Sequence, residues 1–260
     1  MNLLLLGGTG EAKSLAVRLH ELGINVIYSI AGLVRQPELP CTVISGGFSQ
    51  YGGLLAYLQL TGIDTVLDAT HPYAASMSNQ AVLACQTLGI TCYRYERPAW
   101  SAAEFSIERQ LWYEYDDWSS LAVALVAKKT VFLTTGQITT EQIEHLQCSE
   151  CFADQHFIAR TAVDMKVSMP ANSTYIRSIG PFSVEDEIAI LQQYKVDALV
   201  TKNSGGGATA AKLHAARECN TPVFVLKRPR LRAADYTLYT LDDCVSMLNQ
   251  SKESLYLNPE

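Results

Sequence analysis

Residues 3–12, LLLLGGTGEA, constrain the fold of this chain more than any other stretch. An apolar run of strand length stops at Gly7, Gly8 and Gly10, and the residues after it place Ala12, Leu15, Ala16 and Leu19 at helical spacing. The segment reads as a strand, a tight turn and a helix N-terminus. In such a turn, backbone N–H groups approach an anion closely and the helix dipole favours a phosphate. Gly8-Thr9-Gly10 supplies the first two glycines of G-x-G-x-x-G, whereas the third position is Lys13. A nucleotide is the first expectation, beside the plainer one of an ordinary strand-to-helix turn.

Composition narrows the choice. The 260 residues are 48% hydrophobic and only 18% charged, enough for the core of one large or two small α/β domains. A net charge of −6 without any basic run argues against a nucleic-acid surface. The longest apolar run, residues 121–127, is far shorter than a bilayer span, and the N-terminal run lacks a basic flank and a cleavage pattern. A soluble, cytoplasmic protein without a membrane partner is expected. The 7 cysteines are scattered and odd in number, which fits reduced thiols. His145, Cys148, Cys151 and His156 are zinc-ligand types, but the two pairs lack the longer loop of a structural site. The string reads as a helix end and a polar loop, with no metal.

Residues 25–30 read as the second strand. Where an NAD-binding fold would carry an acid for the ribose 2′-hydroxyl, the chain has Ser29, Ala31-Gly32 and Arg35, a pattern suited to a 2′-phosphate. Arg35 reads equally as a solvated loop residue. A third strand at 41–45 leads into Gly46-Gly47 and Gly52-Gly53, either backbone running against a ligand or an irregular loop. The buried strand at 65–68 ends in Asp68, Thr70 and His71, where a doubly wound sheet places its chemistry. His71 is a candidate proton donor, or else a cap for the helix at 74–88. After the strand at 91–95, Arg97-Pro98 marks a domain junction near residue 100.

The second half repeats the alternation, with strands at 111–115, 130–133, 157–160 and 198–202. The last ends in TKNSGGGAT before a helix, a second glycine turn carrying Lys202, Asn203 and Ser204. It reads as an anion cradle or as a purely structural loop. Lys227-Arg228-Pro229 echoes Arg97-Pro98, and the tail from 236 echoes 111–126, which suggests two similarly built halves.

Taken together, Gly7-Gly8-Thr9-Gly10-Glu11-Ala12, Ser29 with Ala31-Gly32, Gly46-Gly47-Phe48, Asp68-Ala69-Thr70-His71-Pro72-Tyr73-Ala74, Arg97-Pro98, Thr134-Thr135-Gly136, Gly180-Pro181-Phe182 and Thr201-Lys202-Asn203-Ser204-Gly205-Gly206 resemble the precorrin-6A and cobalt-precorrin-6A reductase family of corrin (vitamin B12) synthesis. The resemblance covers nearly the whole chain. It implies two Rossmann-like α/β domains with mainly parallel sheets and a cleft between them, drawn as residues 1–99 and 100–260, the final strand and helix having the option of crossing back. It also implies hydride transfer from NADPH, or from NADH, to a carboxylate-rich tetrapyrrole.

On that basis Gly7, Gly8, Thr9, Gly10, Glu11, Ser29, Gly32, Arg35, Gly47 and Thr70 are the expected cofactor contacts. His71, Tyr73, Arg97, Thr135, Gly136, Lys202, Asn203, Ser204, Gly205 and Gly206 are the expected substrate contacts, with His71 as acid. The chain departs from the family pattern at Leu33, where arginine is frequent, and at Ser49, where glycine is common. Two rival functions stand beside this one: a non-catalytic nucleotide or tetrapyrrole binder, and a Rossmann reductase of another anionic substrate.

Overall fold

The computed structural model describes residues 1–32, 36–105, 111–147 and 152–257. The chain forms two compact units, one of Met1–Arg97 with Pro229–Glu260 and one of Pro98–Arg228. Each is an α/β layer structure around one six-stranded sheet in which every strand pairing is parallel.

The first unit contains β1 (Asn2–Leu6), β2 (Asn25–Ile30), β3 (Thr42–Ser45), β4 (Thr65–Asp68), β5 (Thr91–Tyr95) and β12 (Tyr236–Leu238). Their order is β3-β2-β1-β4-β5-β12, the strand order of dinucleotide-binding folds with β12 in the sixth place. Helices α1 (Gly10–Glu21), α2 (Leu54–Thr61), α3 (Ala75–Leu88) and α9 (Leu241–Leu257) cover the two faces. Because successive strand side chains point to opposite faces, Leu3 and Leu5 pack with Leu15, Leu19 and Leu248, while Leu4 and Leu6 pack with Leu58 and Val82. The leucine run of β1 is buried throughout for that reason.

The second unit contains β6 (Trp112–Tyr115), β7 (Thr130–Leu133), β8 (His156–Thr161), β9 (Ser173–Arg177), β10 (Ala198–Lys202) and β11 (Val223–Leu226). Its helices are α4 (Ala102–Phe105), α5 (Trp118–Leu125), α6 (Thr140–Gln147), α7 (Val184–Gln193) and α8 (Ala211–Glu218). The order β9-β8-β7-β10-β11-β6 repeats that of the first sheet, with β7 in the place of β1 and β10 in the place of β4. In each sheet the sixth strand comes from the other half of the chain. β6 follows β5 in sequence but pairs β11, and β12 follows β11 but pairs β5.

Several expectations are altered by this topology. The second unit ends at Arg228, and the closing strand pairs with the first sheet, the crossing-back that the sequence left open. The Lys202–Gly207 loop follows the fourth strand of its sheet and is the counterpart of Thr70-His71. The counterpart of the opening glycine turn is Thr134-Thr135-Gly136, after β7. Strand β9 carries no apolar run long enough to be read from sequence, because it is a five-residue edge strand with no fully buried residue, of which Ile176 packs against the core. Among the described residues no helix is long and apolar enough to cross a membrane.

The tail stabilises a unit from which it is distant in sequence. Leu248 is fully buried against the β1–α1 face, so Leu248→Ala should lower stability by about 2–5 kcal/mol. Urea denaturation should show the loss in the unfolding of the first unit.

Candidate functional site

The carboxyl end of β1 is built around a close backbone approach. The Gly7 N–H donates to the Ser29 carbonyl at 2.8 Å, and a Cβ at Gly7 would stand 2.3 Å from the Tyr28 ring. Tyr28 lies fully buried under the turn, and its hydroxyl accepts the Gly8 N–H at 2.9 Å. Burial raises its pKa above the ordinary tyrosine value and keeps the phenol neutral. Gly8 has φ 109°, a conformation that favours glycine, and a Cβ at Gly8 or Gly10 would meet nothing within 4 Å. The turn is therefore clamped from below by Tyr28 and open above, as a pyrophosphate requires.

Thr9 caps α1. Its hydroxyl accepts the Ala12 N–H at 3.1 Å and donates to the Ala69 carbonyl at 3.2 Å, tying the turn to the end of β4. Both roles of the side chain are thus engaged by protein. The first-turn N–H groups of Gly10 and Glu11 have no acceptor within the helix, which is the anion-binding property of a helix start. The Glu11 carboxylate accepts from Arg97 Nη1 at 2.8 Å, so an expected cofactor residue and an expected substrate residue form one ion pair. That pair cancels a negative charge beside the turn.

Around this turn the other expected residues converge. Gly32, at φ 77°, lies where a Cβ would be 3.1 Å from the Gly46 backbone N, so β2 and β3 end in mutually close main chains leading to Gly47. Arg35, the expected ribose contact, and Leu33 lie outside the described residues, as do Cys148 and Cys151 of the His/Cys string. His156 of that string bonds Thr174 Oγ1 at 2.9 Å. Thr70 is fixed by Asp68, which accepts its hydroxyl at 2.7 Å and its N–H at 3.2 Å. Asp68 in turn pairs with the buried Arg94 at 3.2 Å. His71 Nδ1 accepts the Tyr73 N–H at 3.3 Å, and the two rings lie 5.7 Å apart. With Nδ1 accepting, the neutral imidazole carries its proton on Nε2.

In the second unit, β7 and β10 are adjacent and their carboxyl ends form the point at which the strand order reverses. The Thr134 N–H and hydroxyl both donate to the Val200 carbonyl, at 2.9 and 2.8 Å. β7 pairs β10 as far as Leu133 opposite Val200, and Thr135 and Lys202 each follow two residues later. The buried Thr135 hydroxyl has no hydrogen-bond partner. Asn203 is occupied as a clamp, accepting the Trp100 N–H at 2.8 Å and donating to the Trp100 carbonyl at 2.9 Å. The Trp100 indole N–H closes on the Gly206 carbonyl at 3.1 Å, and Gly205 and Gly206 take φ 69° and 72° to allow the bend. Burial lowers the pKa of Lys202. Sequence reasoning missed Tyr28 and Trp100, whose apolar bodies resemble ordinary core residues and whose polar tips acquire meaning only from the loops they meet.

The family model described as precorrin-6x reductase CbiJ/CobK matches residues 2–249. The chain belongs to this family. It is 38% identical over 242 residues to the precorrin-6A reductase of Rhodococcus erythropolis, across 91% of this chain and 92% of that relative. The precorrin-6A reductase of Rhodobacter capsulatus is 34% identical across 90% of each chain. The cobalt-precorrin-6A reductase of Salmonella typhimurium is 27% identical across 88% of each. A solved CobK precorrin-6A reductase aligns with TM-score 0.83 and 32% identity, over 96% of this chain and 97% of that one. As a CbiJ/CobK reductase the protein is an oxidoreductase.

In this family member Gly7 is the residue with no room for a side chain. Gly7→Ala should cost about 1–3 kcal/mol in urea denaturation through overpacking against Tyr28. Gly8→Ala should instead act through backbone strain at positive φ.

Proposed function

We propose that this protein reduces the macrocycle of precorrin-6A to the precorrin-6B form, with NADPH as the preferred donor and NADH as the weaker one. The observation that carries the cofactor half is the open glycine turn over Tyr28 at the start of α1. Higher identity to relatives named precorrin-6A reductase, 38% against 27% for a cobalt-precorrin-6A reductase, favours the metal-free ring as substrate.

A bound reduced nicotinamide supplies the hydride; the remaining steps belong to this chain. One C=C bond of the ring accepts that hydride at one carbon and a proton at the other, so one NADPH and one proton are consumed per turnover. The N–H groups of Gly10 and Glu11 border the pyrophosphate position, and Gly7 and Gly8 carry the turn over Tyr28. Thr9 holds the turn in shape through its cap, and Glu11 serves by fixing Arg97. Ser29, Gly32 and Gly47 border the ribose end, and Thr70, anchored by Asp68, borders the reacting end. His71 delivers the proton from Nε2 as the imidazolium and returns to the neutral ring, whose Nδ1 accepts the Tyr73 N–H. Lys202, Ser204, Gly205, Gly206, Thr135 and Gly136 receive substrate carboxylates, while Asn203 acts by holding the loop against Trp100.

The decisive measurement is loss of nicotinamide absorbance with precorrin-6A and with its cobalt form, each with NADPH and NADH. The expected order is precorrin-6A with NADPH fastest. No oxidation with either ring would overturn the reading. His71→Ala should lower kcat about 100-fold or more, the contribution of a positioned general acid. An unchanged rate and pH profile would remove His71 as the donor.

A further inference from the structure

The second unit carries a cavity that none of the residues expected from the sequence explains. Residues 162–172 connect β8 to β9, and Thr161 and Arg177, the last residues of those strands, stand opposite each other in the register. Because side chains alternate along a strand, Ile176 joins the core while Tyr175 and Arg177 share the other face of β9. The connection encloses a cavity of about 450 Å³ against that face, walled by Asp164, Met165, Val167, Met169, Tyr175 and Arg177.

Hydrogen bonds fix the connection near both of its ends. The Thr161 hydroxyl donates to the Val163 carbonyl at 2.6 Å, and the Met169 N–H donates to the Tyr175 hydroxyl at 3.1 Å. The Gln137 carboxamide donates to the Val163 and Asp164 carbonyls at 3.1 and 3.2 Å. Gln137 directly follows Thr135-Gly136, so the cavity is tied to the turn after β7, where the buried Thr135 hydroxyl has no hydrogen-bond partner. In the first sheet the places of β8 and β9 are held by β2 and β3, whose ends carry Gly32 and Gly47. The same outer part of the carboxyl edge is thus shaped in both units.

The walls combine an apolar side with one cation. Met165, Val167 and Met169 offer surface that adapts to an irregular apolar outline. Among the described residues the charged walls are Asp164 and Arg177, paired at 3.0 Å with side chains 83% and 69% exposed. An ion pair this exposed contributes little to the fold, so a ligand carboxylate displaces Asp164 at small cost and gains a two-pronged contact with the guanidinium. The volume sits near the lower end of the range of small-molecule sites, roughly 300–1,000 Å³. It admits one ring with its arms and not a whole macrocycle.

We propose that this cavity is a binding site for one corner of a tetrapyrrole polycarboxylate. A pyrrole-derived ring packs on Met165, Val167 and Met169, and its propionate replaces Asp164 as the partner of Arg177. That the tetrapyrrole is the substrate of a reductase rests on the function proposed above. Asp164 is then a resident competitor that yields to the ligand. Neither residue touches a reacting atom, so both act on binding and leave the chemical step alone.

The test uses the full chain with uroporphyrin, a tetrapyrrole polycarboxylate read by fluorescence, alongside turnover of precorrin-6A. Arg177→Gln should weaken uroporphyrin binding about tenfold, the loss of a hydrogen-bonded charge, and raise KM for precorrin-6A with kcat unchanged. Asp164→Asn should tighten binding about threefold by removing the competitor. A pair that merely held the loop would instead make both variants fail alike. In the double variant the gain from Asp164→Asn should vanish, whereas a general charge effect would be additive. Lys166→Gln, on the same connection but not a wall of the cavity, should change binding little. All variants should bind NADPH as the native protein does and melt within about 3 °C of it. Shifts of the same sign in the two single variants, additive shifts, or an equal loss in Lys166→Gln would overturn the proposal. So would a native protein that binds neither tetrapyrrole. Opposed, non-additive shifts in binding without nicotinamide oxidation would overturn only the reductase reading.

Discussion

Parallel pairing is the constraint on which the rest of this structure depends. Neighbouring parallel strands require crossover connections, and every loop that follows a strand is delivered to the same edge of its sheet. The glycine turn, Gly32, Gly47 and Thr70-His71 are scattered over some seventy positions of sequence. They meet because β1, β2, β3 and β4 are neighbours running in one direction. The same rule sets the ends of β7 and β10 side by side, Leu133 opposite Val200. Two local devices then set the geometry: the Thr9 hydroxyl, which joins the turn to the end of β4, and Asn203, which joins the lysine loop to Trp100.

The two units solve opposite electrostatic problems with the same topology. In the first, Glu11 would oppose a phosphate, and Arg97 cancels it. In the second, the buried Arg160 pairs with the buried Glu187, and Lys212 is buried in the same unit. An acidic protein with a net charge of −6 thereby still buries arginine and lysine in its second unit. Charge placement, not total charge, matches such a chain to a carboxylate-rich molecule.

Much of this was legible in the residues. The strands of the first half, the helix after the glycine turn and the strands at β7, β10 and β11 carry their own period or apolar run, because each buries its side chains in a regular pattern. Arg97-Pro98 and Arg228-Pro229, alike in sequence, are the two places where the chain passes from one unit to the other. The edge strand β9 had no such signal, and the equivalence of the Lys202 loop to the His71 stretch was hidden. Both are defined by neighbours in the sheet and not by local composition.

The sequence by itself determined the class of the fold, the opening turn and the residue types available for a dinucleotide and an anionic substrate, since glycine placement and apolar period act over a few residues. Only the tertiary structure decided which sheet owns the last strand and helix. It alone joined Glu11 to Arg97, slid Tyr28 beneath the glycines and buried Lys212. Each of these depends on side chains brought together from distant positions, where burial removes water and makes every unpaired charge and every added methyl group count.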